Sequence, residues 1–148
     1  MEDTILHVED SPDDAVLTEM AFRRAGAQAR IRVAPDGRQA IDWLQSLDSN
    51  AAPACVLLDI KLPGISGLEV LGWMRSQARF KRLPAVMLTS SLLPDDINAA
   101  YDLGANSYLV KPADLDSLVA LARLIDLYWL RSNTRPLPAP ERPAVALI

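Results

Sequence analysis

Glu9 and Asp10, Asp59, Thr89 and Lys111 are the residues whose types and places could do chemistry together. Each closes or follows a short apolar run: Ile5–Val8, Cys55–Leu58, Ala85–Leu88 and Ser107–Val110. Clustered carboxylates repel one another unless a cation joins them. With oxygen ligands and neither His nor Cys beside them, the matching cation is hard, and Mg²⁺ fits. Mg²⁺ typically takes one or two carboxylates, keeps some water and shares phosphate oxygens. A lysine is a point-charge partner for phosphate, and a threonine hydroxyl can donate to a phosphate oxygen. One carboxylate can itself be the nucleophile, forming an acyl phosphate. Asp59 is the natural acceptor, since it ends the middle run with Glu9 and Asp10 as metal acids beside it. Catalysis would then come from positioning and charge neutralisation. Any one of these residues alone reads as a helix cap or turn former. The whole set, spread over separate runs, is hard to assign to capping.

The elements that must bring them together are legible. Ala29–Val33 is a further β-rich run, and several of the runs are apolar throughout. Strands buried on both faces of a parallel sheet read that way. Between them lie segments of helical period. Ser11-Pro12-Asp13-Asp14 is a helix start: an N-cap serine, proline at the first position, then two acids favoured by the dipole. That helix runs to Arg24 and stops at Gly26. Asp36-Gly37 opens a second, with Ile41 and Leu44 inward. A third covers Gly67 to Gln77, with Leu68, Leu71 and Met74 on one face. A fourth opens at Pro94-Asp95-Asp96 and ends by Gly104, and a fifth runs from Leu115 to Leu130. Alternating strands and helices imply an α/β fold with a doubly wound, five-stranded parallel sheet and right-handed crossovers. Ligands bind such sheets outside the carboxyl ends of the strands, where the acids, hydroxyl and lysine fall. From 132 to 148 the chain is rich in proline and reads as an extended arm after a domain over 1–131.

Composition closes off other classes. The chain has 148 residues, 50% of them hydrophobic, which is one ordinary domain able to bury a core. Its net charge is −4, which argues against binding nucleic acid through phosphate neutralisation. The single Cys55 rules out an intrachain disulfide, and the single His7 rules out catalysis by paired histidines. No apolar stretch reaches membrane-spanning length, and the acidic N-terminus is unlike a signal peptide. The expectation is a cytoplasmic protein with no membrane partner.

The stretches ILHVEDSPDD, VLLDIKLPGISGLEVL, AVMLTSS and GANSYLVKP resemble, in order, the receiver domains of two-component response regulators. The resemblance spans residues 4 to 130 and implies the flavodoxin-like (βα)₅ receiver fold. It implies that Asp59 is the phosphoacceptor and that Glu9, Asp10, Asp59 and the backbone carbonyl of Lys61 hold Mg²⁺. Thr89 would be the switch hydroxyl, Lys111 would contact phosphoryl oxygens, and Tyr108 would be the aromatic switch. A cis peptide to Pro112 is also implied. The ending YDLGANSYLVKPADLDSLVALARLIDLYWL is similar to small stand-alone regulators paired with bacterial phytochromes. That subgroup implies a bacteriophytochrome histidine kinase as donor, a homodimer, and no DNA-binding output domain. The family's intrinsic autophosphorylation and autodephosphorylation would make the protein a switch rather than a metabolic enzyme. The first acidic pair is Glu-Asp where many members have Asp-Asp. Lys61 and Ser91 border the route of attacking water and are expected to set the phosphoryl lifetime.

The same residues bear on other readings. An Asp-nucleophile phosphohydrolase usually has a second Asp two residues on, where this chain has Lys61. A flavodoxin-like nucleotide binder lacks a glycine-rich phosphate loop. A phosphorylation-independent dimeric module with the same fold is the remaining alternative. His7 and Cys55 read as core, as do Trp43 and Trp73. In the fifth helix, Leu118, Leu121, Ala122, Ile125 and Trp129 should face the sheet. Ala120, Leu124, Leu127 and Tyr128 make a second apolar stripe, which suggests a partner surface. The apolar end Ala144–Ile148 suggests an arm exchanged across a twofold axis.

Overall fold

The computed structural model describes residues 3–137. Five strands and five helices alternate: β1 Thr4–Val8, α1 Pro12–Arg24, β2 Arg30–Ala34, α2 Gly37–Ser46, β3 Cys55–Leu58, α3 Gly67–Ser76, β4 Ala85–Thr89, α4 Pro94–Asp102, β5 Ser107–Val110 and α5 Leu115–Ile125. All strand pairs are parallel, in the order β2-β1-β3-β4-β5. The chain therefore leaves β1 in one direction and returns on its other side, which puts helices on both faces.

Local chemistry accounts for the helix starts. The hydroxyl of Ser11 accepts from the Asp14 amide at 3.2 Å, with Pro12 in the first turn. Asp36 caps α2 through the Gln39 amide at 2.8 Å. Ser66 and Glu69 form a reciprocal capping box on α3. Asp114 caps α5 through the Ser117 amide at 2.7 Å. Gly26 follows α1 at φ +82°, a left-handed value that ends the helix.

Two apolar layers sandwich the sheet. Leu6, Val8, Val56, Leu58 and Met87 pack against Ile41 and Leu44 of α2 and against Val70, Leu71 and Met74 of α3. On the other face Ile5, Leu57, Val86 and Leu88 pack against Phe22 of α1 and Ile125 of α5. Alternation along each strand thus feeds both layers, as a two-sided parallel sheet requires. Trp43 and Trp73 are partly buried against the first layer, at its rim rather than its centre.

Two expectations need correction. The fifth helix is α-helical only to Ile125; Asp126–Ser132 continues as π-helix. The wider turn keeps Trp129 and Leu130 against the second layer, while Arg131 pairs with buried Asp126 at 2.9 Å. The Lys111–Pro112 peptide is trans, since no peptide bond among the described residues is cis. Trans and cis differ by only about 0.5–1 kcal/mol before proline, so local sequence does not choose between them. Residues 138–148, including the Ala144–Ile148 end of the expected arm, lie outside the described residues.

Candidate functional site

The carboxyl edge of the sheet gathers the predicted residues. Register alone places them: β1 ends at Val8 opposite Leu58 of β3, and Thr89 of β4 lies opposite Val110 of β5. The chain then runs straight from those strands into Glu9, Asp59 and Lys111. Backbone bonds hold each exit: Glu9 donates to the Ala34 carbonyl at 3.0 Å, Asp59 to Val8 at 3.2 Å, and Lys111 to Thr89 at 2.9 Å.

Carboxylate oxygens of Glu9, Asp10 and Asp59 lie within 4.8 Å of one another. Glu9 and Asp59 are buried and Asp10 is exposed, so the cluster opens to solvent on one side. The Lys111 ammonium donates to Glu9 Oε1, to Asp59 Oδ2 at 2.8 Å and to Asp14 Oδ2 at 3.1 Å. Burial by itself would lower the lysine pKa. Hydrogen bonds to Asp59 and Glu9 outweigh it and hold the ammonium well above its ordinary range. Burial pushes the Glu9 carboxyl up, against the opposing hydrogen bond from Lys111. The donor set is all oxygen and rich in charge, which suits a small hard divalent cation and not a soft one. Lys61 is exposed two residues past Asp59, and its carbonyl accepts no backbone hydrogen bond among the described residues.

Thr89 is almost fully buried, and its hydroxyl accepts from the Ser91 amide at 3.4 Å. The Ser91 hydroxyl accepts from Leu93 at 3.3 Å and donates to Asp96 Oδ2 at 2.5 Å. It thereby links the Leu93 amide to Asp96 in the first turn of α4, a helix with no side-chain cap. The Tyr108 hydroxyl donates to the Ser91 carbonyl at 2.8 Å. Both residues expected to switch are thus tied to Ser91. In the second stripe of α5 and its extension, Ala120, Leu124, Leu127 and Tyr128 are all exposed.

Two residues of the site are missing from the sequence expectation. Asp14 reads in the sequence as a helix-dipole acid, yet its side chain reaches Lys111. Gly67 reads only as the start of α3, yet a Cβ there would lie 1.8 Å from the Asp59 carbonyl oxygen. The chain passes Asp59 so closely at that point that only glycine fits, with the Gly67 amide donating to Ile60 at 2.9 Å. The run PGISG just after Asp59 was the available signal for a close backbone approach.

Comparison with known proteins agrees with this geometry. The family model described as response regulator receiver domain matches residues 5–123. The probable methanogenesis regulatory protein FilR2 of Methanothrix harundinacea is 39% identical over 137 residues, covering 91% of this chain and 88% of that protein. Response regulator Rcp1 of Synechocystis is 34% identical, covering 89% of this chain and 92% of Rcp1. The crystal structure of its Mn²⁺-bound form superposes with a TM-score of 0.80 over 90% of this chain and 99% of that one. The phosphorylated cyanobacterial phytochrome response regulator RcpA, also 34% identical, superposes with a TM-score of 0.83 over 92% of this chain and 99% of its own. Strand order, acid cluster and family match together show that the chain belongs to the response regulator receiver family and is homologous to phytochrome response regulators.

Proposed function

We propose that the protein accepts a phosphoryl group from a histidine kinase onto Asp59 and signals through the protein contacts this changes. The observation that carries the reading is the Asp59 carboxylate: within 4.8 Å of the Glu9 and Asp10 carboxylates and 2.8 Å from the Lys111 ammonium. An Asp59 oxygen attacks phosphorus of the donor phosphohistidine. A P–O bond forms, the P–N bond breaks, and the imidazole leaves with the electron pair and takes up a proton. Lys111 offers its ammonium to the transferred oxygens, and Thr89 offers its hydroxyl from the end of β4. Glu9, Asp10 and Asp59, with the Lys61 carbonyl, are the residues that would hold Mg²⁺. When bound, the cation supplies charge neutralisation of the transferring group. The acyl phosphate adds negative charge at the sheet edge. Drawing Thr89 towards it strains the hydrogen bond that the Ser91 amide donates to its hydroxyl, and through Ser91 the Tyr108 hydroxyl and the start of α4. With a small-molecule donor the same residues would make autophosphorylation and slow hydrolysis intrinsic to the protein.

The donor we favour is a phytochrome-type photoreceptor kinase, which rests on the similarity to Rcp1 and RcpA. We assign residues 1–131 to a cytoplasmic receiver unit and 132–148 to an arm. We place a homodimer surface on Ala120, Leu124, Leu127 and Tyr128, supported by the exposure of Leu124 (62%), Leu127 (55%) and Tyr128 (54%). That apolar stripe also supports the second reading, a dimeric module that works without phosphorylation. Intact-protein mass after incubation with acetyl phosphate, with and without Mg²⁺, separates the two. A single Mg²⁺-dependent phosphoryl adduct, lost in Asp59→Asn, is the expected result. An adduct that persists in Asp59→Asn refutes the acceptor assignment. No adduct from either acetyl phosphate or a purified phytochrome kinase favours the second reading.

A further inference from the structure

We infer that Asp14 is a positioning residue for Lys111, the carboxylate that keeps the ammonium in place when a cation takes over its other partners. The inference rests on reading Glu9, Asp10 and Asp59 as the cation site. Lys111 has three carboxylate partners, Glu9, Asp59 and Asp14. Two of the three belong to the group whose oxygens lie within mutual reach, and Asp14 does not. A divalent cation among Glu9, Asp10 and Asp59 therefore competes with Lys111 for two partners and repels it. Asp14 is the acceptor left to it.

Local structure builds Asp14 for this. Its amide is bonded to the Ser11 hydroxyl, and the Ser11 amide donates to Glu9 Oε2 at 3.2 Å. Glu9, the cap and Asp14 are thus one hydrogen-bonded unit, and Pro12 restricts the backbone between them. The Asp14 side chain is 44% exposed while that of Lys111 is 15% exposed. Asp14 thus stays in contact with water and still reaches the partly buried ammonium. Lys111 bridges Glu9 and Asp59, and Asp14 sets where its ammonium goes when a cation displaces it.

The test is a double-mutant cycle on Mg²⁺ affinity, by calorimetric titration of the full-length protein with Mg²⁺ alone. The four proteins are wild type, Asp14→Asn, Lys111→Met and the double variant. Asp14→Asn should weaken Mg²⁺ binding about three- to tenfold with Lys111 present, a size between an exposed ion pair and an outer-shell metal partner. It should do so by less than about twofold in the Lys111→Met background, where only the loss of one nearby charge is felt. Equal weakening in both backgrounds would mean a general field effect and overturns the inference. So does no weakening in either. Asp14→Glu, which keeps the charge, should recover part of the affinity; recovery no better than Asn counts against the positioning role. Because phosphoryl transfer is not read, the outcome stands apart from the Asp59 experiment. Coupling without any adduct in wild type leaves this inference and removes the acceptor reading, and an adduct without coupling does the reverse.

Discussion

Acidifying the metal-free protein should destabilise it through His7 before most carboxylates titrate. The ring lies in β1 between Val33 of β2 and Leu57 of β3 and is 1% exposed. Neither ring nitrogen has a hydrogen-bond partner among the described residues. Burial lowers its pKa from 6.5 to about 4, and the Lys111 charge adds to the fall, while Asp59 and Asp14 oppose it. The sign follows from proton binding. An unfolded chain protonates His7 near pH 6.5, whereas the native ring stays neutral until about pH 4. Between those values the unfolded state binds more protons, so stability rises with pH across the window. The contribution of the neutral ring is complete above pH 6.5 and is lost as pH falls towards about 4. Integrated over the window it amounts to about 3 kcal/mol. His7→Leu removes both the titration and the two unpaired nitrogens. At neutral pH it should be neutral or stabilising by about 1–2 kcal/mol. Urea unfolding of wild type and His7→Leu in chelator, from about pH 7.5 to about pH 4.5, gives the difference directly. The gap should widen by about 2.5 kcal/mol, while carboxylates common to both proteins cancel. A gap constant to about 0.5 kcal/mol would refute the reasoning and mean that His7 finds a proton partner in the native state.

Further outcomes are expected from substitutions elsewhere. Gly67→Ala should destabilise by about 3 kcal/mol, the upper end for overpacking, because the new Cβ meets backbone at Asp59; thermal unfolding and the rate of adduct formation should both fall. Arg75→Met should cost about 2–4 kcal/mol in urea unfolding. The guanidinium donates to the carbonyls of Phe80 (3.1 Å), Leu83 (2.8 Å) and Gly104 (2.8 and 3.0 Å), and no other side chain among the described residues donates to them. Ser91→Ala removes the hydroxyl that joins the Leu93 amide to Asp96 and should cost about 1 kcal/mol, with faster amide exchange confined to Leu93 and the first turn of α4. Leu124→Asp with Leu127→Asp should leave the unfolding temperature nearly unchanged, since both side chains are exposed, while light scattering shows loss of self-association. A dimer that survives this pair removes α5 from the interface.

The elements of the fold are legible because they depend on nearest neighbours in the chain. Ser11, Asp36, Ser66 and Asp114 cap helices within three residues of themselves. The runs of β3 and β4 are buried at every position, so their uniform apolarity announces a two-sided sheet. Once a parallel doubly wound sheet is implied, the residues leaving β1, β3, β4 and β5 must share an edge. The candidate site was legible for that reason alone. The π-helical end of α5 was not, because its apolar spacing reads the same whether turns are slightly wider or not.

By itself, then, the sequence determined the layers, the helix starts and the edge where Glu9, Asp10, Asp59, Thr89 and Lys111 meet, since each follows from local period and capping. Only the tertiary structure decided what those groups touch. Lys111 finds Asp14 across 97 positions of chain, Gly67 slides under Asp59, Tyr108 binds the Ser91 carbonyl, and His7 finds no hydrogen-bond partner among the described residues. Such contacts turn on ångström-scale approaches between separate elements. They are selected by how the whole core packs, and no short stretch of sequence encodes them.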